Sequence, residues 1–455
     1  MNVSLHFPGW GRTASVAAGL VVSAATLCSA PRYQFTRTLT ADRLLLDGAM
    51  DPVQPGEVIG LEPGERPHLV LRNLHGTRQR PIIITNQGGK VRIGSENVAA
   101  AILVDNCSHF KLTGDGDPGL VYGIEVFRAR GQGVQIDNFS TDYEVCHLEI
   151  YGAGFAGIMA KTDPQSNGRA VRGTFTQYST HLHHNHVHDV GGEAFYVGNS
   201  FWASGVPVVI AGVSGLFPAD LVGVYVHDNI VERTGFDGIQ VGCALEDCHI
   251  YRNVVRDTGL RNVLHQRSGI QIGEGTSGTC HGNLIVNAST NGIVMLGRGN
   301  NLVYNNVIVN PGTNGIYCDD RPGAIPGGYI RIYHNTIINP AHYGFLTANS
   351  AGPNEFINNI VVGPHLDPDG GEGRAARAED GARLLAIHNI WRSDVTELRF
   401  ADPARFDFRL TAGSPAINAG TNLAGRNVDE DRAGQHRSAD KANDVGAYEY
   451  QAPPM

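Results

Sequence analysis

The sequence predicts an all-β fold, a right-handed parallel β-helix built as a single-stranded solenoid, and three observations carry that prediction. One phrase recurs with the same internal order: DNIVERTGFDGIQVG, RNVVRDTG with RSGIQIG, GNLIVNASTNGIVMLG, NNVIVNPGTNGIYCD, HNTIINPAHYGFLTA and NNIVVG. The Asn that opens each phrase falls at Asn229, Asn253, Asn283, Asn306, Asn335 and Asn359, at separations of 24, 30, 23, 29 and 24 residues. A period of this size marks a stack of repeated units. The apolar runs inside each unit are short, rich in Val and Ile, and punctuated by Gly, Asn and Asp, which is strand and turn chemistry with no helical period.

Stacked coils place equivalent residues above one another, about 4.8 Å apart. An inward-turned Asn at a bend then donates to and accepts from its neighbours above and below, satisfying buried turn backbone. The right-handed sense follows from the crossover rule for parallel strands.

In chain order, residues 1–30 stand apart from the repeat. Arg12 precedes a small-residue apolar run from Ala14 to Leu27, followed by Cys28-Ser29-Ala30, which reads as a secretory signal cut at or a few residues before Ala30. The run is short for a membrane span, so no transmembrane segment is expected once the signal is removed. Residues 31–363 are assigned to the solenoid. Charged residues are only 17% of the chain and the net charge is −9, with no basic run, which argues against a nucleic-acid partner. Cys280 and Cys318 fall on apolar columns and are expected as core thiols. Cys243 and Cys248 bracket a short turn, a spacing open to a disulfide in an oxidising compartment.

The first coils begin at Gln54, and Asn185 joins the Asn column within THLHHNHVHDVGGEAFYVG. Three insertions border the Gly-Ile strand: Asn199 to Leu221 and Asp319 to Gly328 leave it, and Gly259 to Arg267 enters it. Walls on both borders of one sheet make that sheet the floor of a groove. The tail, 364–455, changes character: a Gly, Ala, Arg and Asp-rich segment from Asp367 to Gly381 leads to SPAINAG and DVGAYEY, expected to cap or follow the solenoid.

Alternation along the floor strand turns Ile239 and Val241 inward and Gln240 outward. The outward column is expected to read Lys161, Tyr196, Gln240, Gln271 and Tyr317, with Asn199, Glu274, Arg298, Asp319, Asp320 and Arg321 just past the strand ends. Amides, charges and Tyr rings at one-coil intervals suit an extended sugar polymer. Three constellations follow. Lys161, Tyr196, His265, Arg298, Tyr317 and Arg321 offer the carboxylate-neutralising cation, base and acid that β-elimination needs. The carboxylates Glu193, Asp237, Glu274, Asp319 and Asp320 offer the paired acids of a glycosidase, while Asn199, Gln240, Gln271, Glu274, Asp319 and Asp320 are candidate substrate contacts. Glu193 and Asp237 share a turn column with Ser268, Asn291 and Asn314, so they either cap backbone or hold Ca²⁺. In the His-rich run, His186 and His188 share a face and form a possible metal pair, with a third ligand from His227 or Asp189.

The stretch PGEVIGLEPGERPHLVLRNLHGTRQRPIIITNQGGKVRI resembles the N-terminal coils of secreted bacterial right-handed β-helix proteins, including the polysaccharide lyase six group of the pectate-lyase-like superfamily. The resemblance spans Gln54 to Asn359, and the closing phrases resemble the C-terminal segment of many such proteins. It implies a secreted or cell-surface monomer with a polysaccharide substrate, most simply a lyase for an acidic polymer. The lyase group's Asn-x-x-Ser-Lys-Ser phrase is absent. A glycoside hydrolase or a non-catalytic adhesion protein on the same scaffold are the alternatives.

Overall fold

A computed structural model describes residues 32–206, 215–363, 375–379, 381–438 and 441–452. Residues 1–30, expected from the sequence to be a secretory signal, and parts of the Asn199 to Leu221 loop and of the Asp367 to Gly381 segment lie outside the described residues.

Three sheets of 13, 12 and 12 strands are each parallel throughout, and the chain visits them in a fixed rotation, as the right-handed β-helix requires. We call them, in the order each coil visits them, the lead-in sheet, the Asn sheet and the floor sheet. One coil runs Asp220–His227, Ile230–Thr234 and Ile239–Val241, and the next pairs with it in register, Val226 on Ile250, Val231 on Val255, Ile239 on Ile270. The inward residues at these positions are between 0% and 1% exposed, so the core is a continuous apolar column inside the three sheets. Among the described residues no helix is long and apolar enough to cross a membrane.

The Asn column forms as expected. Each Oδ1 accepts from the backbone N–H and the side-chain amide of the Asn one coil earlier, as Asn253 Oδ1 does from Asn229 at 3.1 and 3.0 Å. Each Nδ2 also donates to a carbonyl of the preceding coil, Val226 O at 2.9 Å for Asn253. The residue before each column Asn is left-handed: Asp228, Arg252, Gly282, Asn305, His334 and Asn358 have φ between 51° and 64°. That bend turns the chain from the lead-in sheet into the Asn sheet, and short polar residues and Gly tolerate it best. The glycines opening the floor strands answer a different demand. A Cβ on Gly269 would stand 2.4 Å from Ile285 Cγ2 and 2.7 Å from the carbonyl of Gly292 in the next coil, and Gly292 and Gly315 repeat the pattern.

The solenoid extends beyond both ends of the recurring phrases. It starts at Arg37–Leu39, ahead of Gln54, and a further coil, Ala376–Ala378, Leu384–Ile387 and Ile390–Arg392, follows residue 363. Asn389 continues the ladder, accepting from Asn359 N at 2.8 Å. The described part of the tail packs on the stack. It lies along its side: Leu398, Phe400, Phe408, Leu410, Val445 and Ala447 pack on the outward Leu284, Val286, Val307, Val309, Ile338 and Ile360 of the Asn sheet. Leu423 and Val428 cover Leu302, Tyr333 and Ile357 of the lead-in sheet. The late coils are apolar on both faces of the Asn sheet, so they need a lateral cover; the floor sheet stays open.

The six cysteines among the described residues are all free and buried. Cys280 and Cys318 are core thiols, as expected. The Cys243–Cys248 disulfide does not form: Cys248 points into the core from the middle of the Ala244–Tyr251 strand, while Cys243 precedes it and its thiol donates to Asn199 O at 3.0 Å. Five residues of strand separate them by on the order of 15 Å, twice what a disulfide spans.

Candidate functional site

The open face of the floor sheet carries a groove of about 470 Å³. Its floor is the outward column Gln240, Gln271, Val294, Tyr317 and Leu346, in register across successive coils. One wall is the insertion that enters the floor strand, with Leu264, His265, Gln266 and Arg267; the other comes from segments that leave it, with Asn199, Phe201, Glu274, Asp319 and Arg321. The predicted residues Asn199, Gln240, His265, Gln271, Glu274, Tyr317, Asp319 and Arg321 thus meet in one cleft.

The remaining predicted residues lie elsewhere. Met159, not Lys161, faces Tyr196 in the floor column; Lys161 sits past the strand end, so the expected column is corrected there. Its ammonium is largely buried, pairs with Asp163, reaches Asn199 Oδ1 at 3.2 Å and lies 5.1 Å from the Tyr196 ring centre. Arg298 is not in the groove lining and stacks on Trp202 at 4.8 Å, a ring that Arg172 also approaches, at 4.1 Å. Burial lowers the Arg298 pKa from its usual value. Asp320 is exposed outside the cleft and accepts from Ser350 Oγ at 2.8 Å. Glu193 and Asp237 are sealed beneath the turn column, 1% and 0% exposed. Asp237 Oδ1 takes the Ser268 N–H at 2.5 Å, a backbone cap, while Asp237 Oδ2 and Glu193 Oε2 have no partner. Burial pushes the Glu193 carboxyl up to about 7 and raises Asp237 well above its usual range.

The densest chemistry in the groove is a chain of four groups. Arg321 donates to Asp319 Oδ2 at 2.7 Å through Nε and to Glu274 Oε1 at 3.0 Å through Nη1. Tyr317 Oη donates to Asp319 Oδ1 at 3.1 Å, and Glu274 Oε2 accepts the Ala203 N–H at 3.2 Å. Burial would depress the Arg321 guanidinium, but its bonds to Asp319 and Glu274 outweigh that and hold it above its usual value. Burial, then the Asp319 charge, raises the Tyr317 phenol. Tyr317 therefore stays protonated at neutral pH and serves as a donor. On the floor, Gln240 donates to Ser200 Oγ at 3.2 Å and leaves its own buried Oε1 unpartnered. His265 is exposed on the facing wall in a left-handed conformation, φ 65°.

Sequence reasoning passed over Thr290 and Thr313 and took Asn291 and Asn314 only as turn residues, yet all four line the groove. Asn291 Oδ1 accepts from Thr313 Oγ1 and Asn314 Nδ2, each at 2.9 Å. The repeated Thr-Asn-Gly-Ile was the available signal. Trp202, the stacking partner of both Arg172 and Arg298, donates from Nε1 to Asp220 at 2.8 Å and had no counterpart in the repeat to announce it.

A profile of the right-handed β-helix region family matches residues 208–381. No curated protein matches the sequence. Among solved structures, the chain is similar to that of XylC in complex with xylose, with 10% identity, a TM-score of 0.53, and coverage of 88% of this chain and 94% of that one. It is also similar to pectate lyase Pel9A, at 14% identity and TM-score 0.44 over 92% and 97% of the two chains. For the alginate lyase from Paenibacillus sp. str. FPU-7 the figures are 15%, 0.42, 78% and 99%. At these identities the likeness is one of fold.

Proposed function

We propose that the groove binds a segment of glycan and that the Tyr317–Asp319–Arg321–Glu274 cluster cleaves a glycosidic bond within it. The observation that supports this reading most is the meeting of two carboxylates, a phenol donor and an amide-rich floor in a single open cleft. The amides and Thr hydroxyls match sugar hydroxyls, and Tyr317, Phe201 and Leu264 offer surfaces for ring faces. Hydrolysis of a glycan of low charge is the favoured chemistry. Asp319, which accepts from Tyr317, from Arg321 and from Asp320 N, is the base or nucleophile. His265 on the opposite wall is the proton donor.

Elimination on a uronate polymer is the second reading, supported by the adjacency of Tyr317 and Arg321. It is the weaker one because three of the cations predicted for it are spent on neighbours, which leaves it Arg267 on the groove wall, bonded to Asn262. Lys161 is committed to Asp163 and Asn199, Arg298 to Trp202, and Arg321 to two carboxylates. The test is incubation with a panel of neutral and uronate polymers. New reducing ends without ultraviolet absorbance support hydrolysis, an absorbing unsaturated product means elimination, and binding without cleavage leaves an adhesion protein. D319N should then lower kcat/KM by about 100-fold or more; unchanged turnover would remove Asp319 from the mechanism. We also propose that residues 1–30 direct export, which N-terminal sequencing of protein recovered outside the cytoplasm tests.

A further inference from the structure

Away from the groove, on the outward face of the Asn sheet, we propose a binding site for a divalent first-row transition metal such as Zn²⁺, formed by Glu149, His186 and His188. Glu149 lies on Leu148–Tyr151 and both histidines on His186–Val190, one coil later, with Glu149 paired to His186 and Tyr151 to His188. The intervening Val187 points into the core, so the two imidazoles rise from the same face, ring centres 4.4 Å apart. One donor atom from each of the three residues lies within 4.8 Å of the others. His188 Nε2 is 3.8 Å from Glu149 Oε1, close to the separation of about 3.4 Å that ligands 2.0–2.1 Å from a tetrahedral ion require.

A second, independent observation concerns the other side of the His188 ring. Its Nδ1 is 2.7 Å from Asp189 Oδ2, and Asp189 is itself gripped by Arg233 at 2.7 and 2.9 Å. Asp189 therefore fixes the tautomer with the proton on Nδ1, which leaves the Nε2 lone pair facing Glu149. That Nε2 is buried and has no hydrogen-bond partner. A carboxylate behind an imidazole whose free nitrogen faces further donors is the outer support of a bound transition metal. Tyr151 stacks on His188 at 5.3 Å and Tyr122 flanks His186 at 5.9 Å, which shields the site. Lys90 holds the other Glu149 oxygen at 3.3 Å, so Oε1 is the one presented to the ion. Glu232, from the following coil, stands 3.3 Å from His186 Nε2 through an oxygen that Arg233 also holds at 3.3 Å, so it is a fourth group in reach only by exchanging that bond. Two imidazoles and a carboxylate suit Zn²⁺, Ni²⁺ or Cu²⁺ over Ca²⁺.

Two further clusters of donors are already consumed internally. In Glu144, Cys146 and His183, a single Glu144 oxygen is shared by Lys111 at 2.7 Å and His183 at 3.0 Å. In His184, His227 and Asp228, His227 Nδ1 binds Asp228, whose two oxygens are also taken by Arg252 at 2.8 and 2.6 Å.

The test is a calorimetric titration of chelator-treated, dialysed full chain with ZnCl₂ at neutral pH, alongside the visible spectrum with Co²⁺. The expected result is one equivalent bound, a tetrahedral Co²⁺ spectrum, and loss of that equivalent in H186A/H188A. D189N should bind about 10- to 100-fold more weakly. The variant H184A/H227A should bind as the parent does. Because the histidine variants could misfold, anomalous scattering from a zinc-soaked crystal of the unaltered chain is the second measurement. Absence of binding, an equivalent that survives H186A/H188A, or an ion located at either of the other two clusters overturns the assignment.

Discussion

Replacing Asn253 by Ala should cost far more than its size suggests, because the side chain closes four hydrogen bonds in a fully buried bend. Its Oδ1 accepts from Asn229 N and Nδ2 at 3.1 and 3.0 Å, and its Nδ2 donates to Val226 O and Asn283 Oδ1 at 2.9 and 3.0 Å. Two of these partners have alternatives: Asn229 Nδ2 keeps Leu182 O, and Asn283 Oδ1 keeps the backbone N–H of residue 253. The Asn229 N–H and the Val226 carbonyl lose the bond made to this side chain. Stranding the buried Asn229 N–H costs about 1–3 kcal/mol, and the bond lost at the Val226 carbonyl, which keeps its place in the strand ladder, about 0.5–1.5 kcal/mol, a total of about 1.5–4.5 kcal/mol. Guanidinium unfolding followed by circular dichroism reads the total. Hydrogen exchange at the Asn229 amide reads the local opening, which matters because long solenoids need not unfold in one step. The exposed N97A is the control, expected within about 0.5 kcal/mol of the parent. If N253A loses less than about 1 kcal/mol, or leaves Asn229 exchange unchanged, the ladder does not stabilise the bends as argued.

Glu193 should make the protein less stable as pH rises. Its folded pKa of about 7 exceeds the model-compound value of 4.5, so the folded state binds more protons between those values; about 3 kcal/mol is lost across that window and no more above it. E193Q should flatten that limb in melting temperatures taken from pH 4.5 to 8. His281 acts in the opposite direction: burial, followed by the charges of His249 and Arg252, pushes it down to about 4, so stability is present above 6.5 and is lost as pH falls towards 4. H281F, which keeps the stack between Tyr251 and Tyr304, should remove part of the acid limb in the same scan. F408A should cost about 3–5 kcal/mol, since Phe408 is 1% exposed and holds the tail on the Asn sheet. Limited proteolysis should then release the tail before the coils are cut.

The fold was legible because the solenoid repeats its own constraints. From Asn185 on, an Asn at the bend into the Asn sheet, a left-handed position before it and a Gly where adjacent coils nearly touch are each forced by local geometry, so they recur in the sequence at the coil period. Asn389, in the phrase HNIW, obeyed the same rule and was hidden only by the Gly-, Ala- and Arg-rich segment before it. The groove was half legible. Alternation on the floor strand put Gln240, Gln271 and Tyr317 outward, and Glu274, Asp319 and Arg321 fell beside them because they follow strands of known register.

Insertions escaped such reasoning. Nothing in the spacing of Trp202 said that it would draw Arg172 and Arg298 to itself, or that Lys161 would find Asp163. Nor did spacing indicate that the histidine pair would meet Glu149 from the previous coil while Asp189 turned behind His188. By itself the sequence determined the coil, its period and the inward or outward sense of each strand residue, because backbone sterics and burial act over a few residues. Only the tertiary structure decided which charges are free and which are spent on one another, and which face the tail would cover. Those outcomes depend on where long side chains and loops from separate coils come to rest, and Coulomb and packing energies between them are set by distance in space, not along the chain.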